Sequence, residues 1–158
     1  MITAYHRPQT LDEALALLTQ PNTLPLGGGT LLSQPTTDPV SVVDLQRLGL
    51  DTLRMNGNEL TIGATCTLQA LLESEHCFDV LKTAIKLEAP INIRNSATVA
   101  GTLVASDGRS TFATMLLALD SRLEIRDSMN KSQVSSLSEF LLTHPKGLIT
   151  SITIPLHT

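Results

Sequence analysis

Apolar positions along the chain come in short bursts, and their spacing changes from one segment to the next. Leu11, Ala14, Leu15 and Leu18 recur at helical intervals behind Thr10-Leu11-Asp12-Glu13. That tetrapeptide has the form of a capping box, with Thr10 as N-cap and Glu13 reaching back. The pattern predicts an amphipathic helix from Thr10 to about Thr19, ended by Pro21-Asn22. Leu24-Pro25-Leu26 is short and apolar and predicts a strand. Val40 to Asp44 is rich in β-branched residues and predicts a second. Leu53-Arg54-Met55 and Glu59-Leu60-Thr61-Ile62 flank Asn56-Gly57. The dipeptide predicts a hairpin closed by a type I′ turn, with both turn residues at positive φ.

Thr67 is placed to cap a short helix through Ser74. Val80, Leu81, Ala84, Ile85 and Glu88 fall at helical intervals and predict a helix from Phe78 to Ala89, stopped by Pro90. Ala97 to Gly101 reads as a loop of small residues. Ser110 or Thr111 caps a helix from Phe112 to Leu119. Arg122 to Arg126 alternates with period two, as a half-buried strand does. Ser136 to Glu139 is a second capping box, opening a short helix to Leu142. Leu148 to Ile154 is a final strand, closed by Pro155. Helices mixed with hairpins, without repeats or long linkers, place the chain in the α+β class rather than among regular βαβ folds.

The chain has 158 residues and weighs 17.0 kDa, the size of one domain or of two small lobes sharing a core. Hydrophobic residues make up 42%, enough for a core of ordinary quality. The net charge is -4, with no cluster of Lys and Arg, and aromatic residues are 3% with no Trp. Such a chain lacks both the electrostatic footprint and the stacking platforms of a nucleic-acid binder. No apolar run approaches the roughly eighteen residues of a membrane span. Met1 to Pro8 does not read as a signal peptide. Cys66 and Cys77 fit a reducing, cytoplasmic setting and read as small buried hydrophobes. They are too few for an iron–sulfur cluster held by four thiolates.

Candidate chemistry concentrates in two stretches of small residues. Gly27-Gly28-Gly29-Thr30 directly follows the Leu24–Leu26 strand. Its N–H groups can converge into a nest for an anion such as a pyrophosphate, with the Thr30 hydroxyl as a further donor. It is neither a dinucleotide fingerprint nor a Walker loop, because the lysine is missing and the spacing differs. The same residues also fit a plain surface turn. Thr98-Val99-Ala100-Gly101-Thr102 favours close backbone approach in the same way, and equally fits a packed turn. Together the two stretches suit the two sides of an elongated dinucleotide. His6, His76, His144 and His157 are scattered without metal-ligand spacing. Asp107-Gly108-Arg109 reads as an exposed turn. No catalytic triad or paired carboxylates emerge, so no catalytic residue is assigned.

Several ordered segments resemble a known family. Tyr5-His6-Arg7-Pro8, with Leu11-Asp12-Glu13-Ala14, resembles the opening of the FAD-binding medium subunit of the molybdenum hydroxylases. Xanthine dehydrogenase and aerobic carbon monoxide dehydrogenase belong to that family. The likeness continues through Pro25 to Thr30, Val43-Asp44-Leu45 and Leu60 to Ala64. It is closest at Ile93 to Gly101, and persists through Leu116 to Asp120 and Ser151 to Pro155. It implies a two-lobed FAD-binding fold of the vanillyl-alcohol-oxidase/PCMH type. Residues 1–55 would form a small α/β lobe carrying the glycine-rich loop. Residues 56–158 would form a larger lobe around an antiparallel sheet, carrying the second loop.

By position, the resemblance implies FAD contacts at Leu26, Gly27, Gly28, Gly29, Thr30, Leu32, Ala97, Thr98, Gly101, Thr102, Ala105, Ser110 and Thr111. Thr30, Thr98 and Thr102 would be the side-chain donors. On that reading Gly28→Asp blocks the cofactor by bulk and by like charge. Three positions depart from the family. Thr102 stands where Asn is usual, Ala105 where a hydroxyl or amide is common, and Thr111 where Asp is found. Exchanging a charged hydrogen bond of about 1.5–3 kcal/mol for a neutral one of about 1 weakens FAD by about tenfold. The family also continues past Pro155 into a C-terminal domain that this sequence lacks. The implied role is electron transfer, from a molybdenum-cofactor subunit through an iron–sulfur subunit to FAD here, and on to NAD or a quinone. The alternative is a flavin-free scaffold or binding module of the same fold.

Overall fold

A computed structural model describes residues 1–30 and 37–156. Leu32, among the expected FAD contacts, lies outside the described residues. The chain is a mixture of helices and sheets, as its pattern predicts, and the strands fall into two sheets.

The first sheet holds β1 (Ile2–His6), β2 (Thr23–Leu26) and β3 (Val40–Asp44), all parallel, in the order β1-β3-β2. α1 (Leu11–Leu18) connects β1 to β2, which lie on either side of β3. A local βαβ unit is therefore embedded in the α+β chain. The Thr10 hydroxyl accepts the Glu13 N–H at 3.2 Å, as the capping box requires. The reciprocal half shifts by one residue: the Glu13 carboxylate accepts the N–H of Gln9, at 3.1 Å, rather than that of Thr10. Ala14 and Leu15 form the buried stripe of α1 and pack with Val43, Leu45 and Leu148. The first strand was not expected from the pattern. It is mostly exposed, and its ladder partner is β3, nearly forty positions away.

The second sheet is antiparallel, in the order β4-β5-β8-β6-β7. Its strands are β4 (Leu53–Asn56), β5 (Glu59–Gly63), β6 (Arg122–Arg126), β7 (Ser132–Ser136) and β8 (Leu148–Pro155). The predicted hairpin is present, but Asn56 pairs with Glu59, so the two-residue loop is Gly57-Asn58. Of these two, Gly57 alone has positive φ, at 60°. Glycine first with an ordinary second residue is the II′ pattern, so the I′ expectation is corrected. The polar strand β7 was also unforeseen; only Ser135 of it is buried.

Cross-strand pairs Leu60–Ile154, Ile62–Ile152 and Ile152–Leu123 give the second sheet a continuous apolar face. Five helices supply the rest of that core: α2 (Leu68–Glu73), α3 (Asp79–Glu88), α5 (Val99–Ala105), α6 (Thr111–Ala118) and α7 (Leu137–Thr143); the short α4 (Ile91–Arg94) buries no residue. Leu81, Ala84 and Ile85 are the buried stripe of α3, whereas Val80 is 55% exposed and not part of it. The expected small-residue loop at Ala97–Gly101 is the N-terminus of α5 instead, capped by Thr98. The hydroxyl cap supplies the stop and start that apolar spacing alone does not show.

Asp44, at the end of β3, is 3% exposed. It accepts the Tyr5 hydroxyl and, at 2.9 Å, the Gln46 N–H, and it faces the Arg7 guanidinium at 3.4 Å. That hydrogen bond raises the Tyr5 hydroxyl above its usual pKa. Asp44→Ala leaves these donors unmatched and should cost about 2 kcal/mol, read as a lower urea midpoint. Cys66 and Cys77 are both buried in the main core, and desolvation pushes each thiol up to about 11. Between pH 9 and 11 the unfolded chain releases protons that the folded chain keeps. Stability should therefore be level below pH 9 and fall toward pH 11, in denaturant titrations at stepped pH.

Candidate functional site

One cavity of about 830 Å³ gathers most of the residues singled out in the sequence. One wall is the stretch Gly27, Gly28, Gly29 and Thr30 that follows β2. The facing wall is Ala97, Thr98, Gly101, Thr102 and Ala105, from the start and length of α5. Ser110 and Thr111, at the N-terminus of α6, also line the cavity. Leu26 does not line the cavity; it ends β2, where its carbonyl accepts the Leu45 N–H at 3.1 Å.

The two glycine-bearing stretches touch each other. A Cβ on Gly28 would lie 1.5 Å from the Ser96 carbonyl oxygen, and one on Gly27 would lie 2.8 Å from the Thr98 hydroxyl oxygen. Gly28 is therefore required by backbone packed against backbone, before any ligand is considered. Gly29 sits at φ 72°, where a side chain is strained. Any side chain at 28 collides with Ser96, so the bulk of Gly28→Asp falls on the chain itself rather than on the cofactor.

The donor inventory differs between the walls. Among the described residues, the N–H groups of Gly27 and Gly28 have no hydrogen-bond partner within the chain. Those of α5 are engaged. Val99 donates to Cys66 O at 2.9 Å, Ala100 to Ala64 O at 3.2 Å, Gly101 to Thr98 Oγ1 at 3.1 Å and Thr102 to Thr98 O at 2.9 Å. The Thr102 hydroxyl turns back to the Thr98 carbonyl at 2.7 Å, a common use of a mid-helix threonine. The backbone donors expected of the glycine-rich stretch are thus available at Gly27 and Gly28. The α5 side offers shape and the Thr98 hydroxyl.

Sequence reasoning missed Glu88. This last residue of α3 lines the cavity and brings its carboxylate to the start of α6. Oε2 accepts the Phe112 N–H at 2.9 Å, the Thr111 hydroxyl at 3.0 Å and the Ser110 hydroxyl at 3.1 Å. A carboxylate therefore stands beside Thr111 although position 111 itself carries none. Asp107 does not fill that role: it accepts the Arg109 N–H at 2.8 Å and the Arg109 guanidinium at 2.8 and 3.2 Å. Those bonds hold its carboxyl below the usual range. The only signal for Glu88 in the sequence was its place on the inward side of α3.

Part of the cavity's exposed lining is apolar. Leu24, Leu87, Ile93 and Val104 belong to it and are 42%, 69%, 40% and 56% exposed. Among the described residues no group of three or more His, Cys, Asp or Glu is placed to hold a metal, and no helix is long and apolar enough to cross a membrane. A cavity with free backbone donors at Gly27 and Gly28, the hydroxyls of Ser110 and Thr111 and apolar exposed lining fits a flavin dinucleotide: an anion, hydroxyl-bearing chains and flat rings.

Comparison with known proteins agrees with that chemistry. Residues 1–157 match the family of the FAD binding domain in molybdopterin dehydrogenase. The chain belongs to this family, whose cofactor is FAD. It is 29% identical to the uncharacterized protein YgfM of Escherichia coli K12, over 98% of this chain and 60% of that one. It is 27% identical to the carbon monoxide dehydrogenase medium chain of Afipia carboxidovorans, over 96% and 58%. The reconstituted CO dehydrogenase from Oligotropha carboxidovorans superposes with a TM-score of 0.88 at 26% identity, over 98% of this chain and 59% of that chain. The chain thus spans about 60% of the length of these relatives.

Gly28→Ala should disrupt the junction with Ser96, lowering stability by about 2 kcal/mol or more and abolishing FAD uptake. A Cβ on Gly108 meets nothing within 4 Å, so Gly108→Ala is the silent control. Thermal melts and flavin titration of the two variants check both points.

Proposed function

We propose that this domain holds FAD extended between two lobes, residues 1–55 and 56–158, in the manner of the vanillyl-alcohol-oxidase/PCMH fold. On this reading it is the electron-transfer subunit or module of a molybdenum-hydroxylase-type dehydrogenase. The observation that carries the proposal is the cavity itself: the Gly27–Thr30 loop, in which the N–H groups of Gly27 and Gly28 are free, lines it together with Thr98 and the start of α6. The family match over residues 1–157 supplies the cofactor.

FAD, when bound, supplies the redox chemistry. The protein's part is binding and orientation. Gly27 and Gly28 donate backbone N–H groups to the pyrophosphate, and the Thr30 and Thr98 hydroxyls add side-chain donors. Ser110 and Thr111 present the hydroxyl end of the cavity. Leu24, Leu87, Ile93 and Val104 cover ring faces and exclude water. No side chain of the cavity is required as acid or base. Electrons would arrive from an iron–sulfur subunit, fed by a molybdenum-cofactor subunit, and leave to an acceptor such as NAD or a quinone. The setting would be cytoplasmic.

The test is a visible absorption spectrum of the purified chain after incubation with FAD and desalting. Flavin bands retained at near-unit stoichiometry are expected. A colourless chain would overturn the proposal in favour of a flavin-free scaffold of the same fold.

A further inference from the structure

We infer that Glu88 is a ligand-orienting residue, accepting a hydroxyl from the sugar or ribityl part of the dinucleotide and so setting which way the cofactor lies in the cavity. The inference rests on the FAD reading of that cavity.

The two oxygens of the Glu88 carboxylate have unequal surroundings. Oε2 accepts the Phe112 N–H and lies within hydrogen-bond reach of the hydroxyls of Ser110 and Thr111, the Thr111 proton being shared with the Ala84 carbonyl at the same 3.0 Å. Oε1 meets only the Ser110 hydroxyl, at 3.0 Å, whose single proton it shares with Oε2. A carboxylate oxygen can accept about two hydrogen bonds, so Oε1 keeps acceptor capacity. Glu88 lines the cavity, so a bound molecule can reach that capacity.

The charge then decides what approaches. Among the described residues no Lys, Arg or His forms an ion pair with Glu88. Arg109, also at the cavity, is paired with Asp107. Neutral donors orient the Glu88 carboxylate without cancelling its charge, so it repels phosphate and attracts O–H donors. The pyrophosphate is therefore directed to the other wall, where the Gly27 and Gly28 N–H groups are free. The hydroxyl-bearing part falls over Glu88. The geometry also implies that position 111 has no room for a second charge. Its hydroxyl lies 3.0 Å from Glu88 Oε2, and a carboxylate there would face a like charge at short range.

The test uses the purified chain and titrates FAD, riboflavin and ADP into the wild type, Glu88→Gln, Thr111→Asp and the Glu88→Gln/Thr111→Asp double variant. Flavin quenching follows FAD and riboflavin, calorimetry follows ADP, and ligand-free thermal melts accompany each variant. Gln keeps the shape and one acceptor oxygen, so α6 stays capped. Glu88→Gln should weaken FAD about tenfold. The loss should appear with riboflavin or with ADP but not both, and the affected half carries the hydroxyl. Thr111→Asp should lower both FAD affinity and the melting temperature, and adding Glu88→Gln should restore both. Unchanged FAD affinity in Glu88→Gln, a lowered melt without loss of affinity, or equal losses for riboflavin and ADP would each reduce Glu88 to a helix cap and overturn the inference. So would a Thr111→Asp variant that behaves as wild type. A wild type that binds no FAD overturns the cofactor reading and this inference together; a wild type that binds while Glu88→Gln binds equally overturns this inference alone.

Discussion

The fold turns on a contact that leaves no room for a methyl group. Gly28 lies against the Ser96 carbonyl, and Gly27 lies against the Thr98 side chain. At this point the connection leaving the parallel sheet meets the segment leading into α5. Leu148 of β8 packs with Ala14, Leu15, Val43 and Leu45 and ties the sheets together a second time. These contacts hold the glycine-rich stretch and α5 as facing walls of one cavity, on elements whose own cores are already packed.

The two walls divide the work unevenly. Both looked alike as sequence, small residues beside hydroxyls. In the folded chain α5 engages its own N–H groups, partly with Ala64 and Cys66 and partly through the Thr98 cap. Just after β2, the N–H groups of Gly27 and Gly28 have no such partners among the described residues and stay available to a ligand. The difference follows from a general requirement: buried N–H groups must be satisfied, and a helix N-terminus does so with caps and neighbouring carbonyls. Acidic chemistry reaches the cavity in a similarly indirect way. The carboxylate at the start of α6 comes from the end of α3, and the one nearer in sequence, Asp107, is paired with Arg109.

Much was legible without coordinates. Thr10, Thr67 and Ser136 cap the helices their spacing announced, and Ser110 is the one of two candidates that caps α6. These signals are local, carried by a hydroxyl and the N–H three residues on. The hairpin at residue 57 was legible as a hairpin, but not its turn type, because cross-strand register chose which pair closes the loop. The strands Ile2–His6 and Ser132–Ser136 were illegible for a different reason. Both are mostly exposed and are made strands by a partner, so their own side chains carry little periodic signal.

By itself, then, the sequence determined the helix starts, the inward stripes of α1 and α3, the apolar strands of the second sheet and the two small-residue stretches. Each depends on residues within a turn or two of one another. Tertiary structure alone decided which donors remain free, that Gly28 answers to Ser96, and that Glu88 stands beside Thr111. Those facts join residues more than twenty positions apart, and only packing brings them within hydrogen-bonding or van der Waals reach.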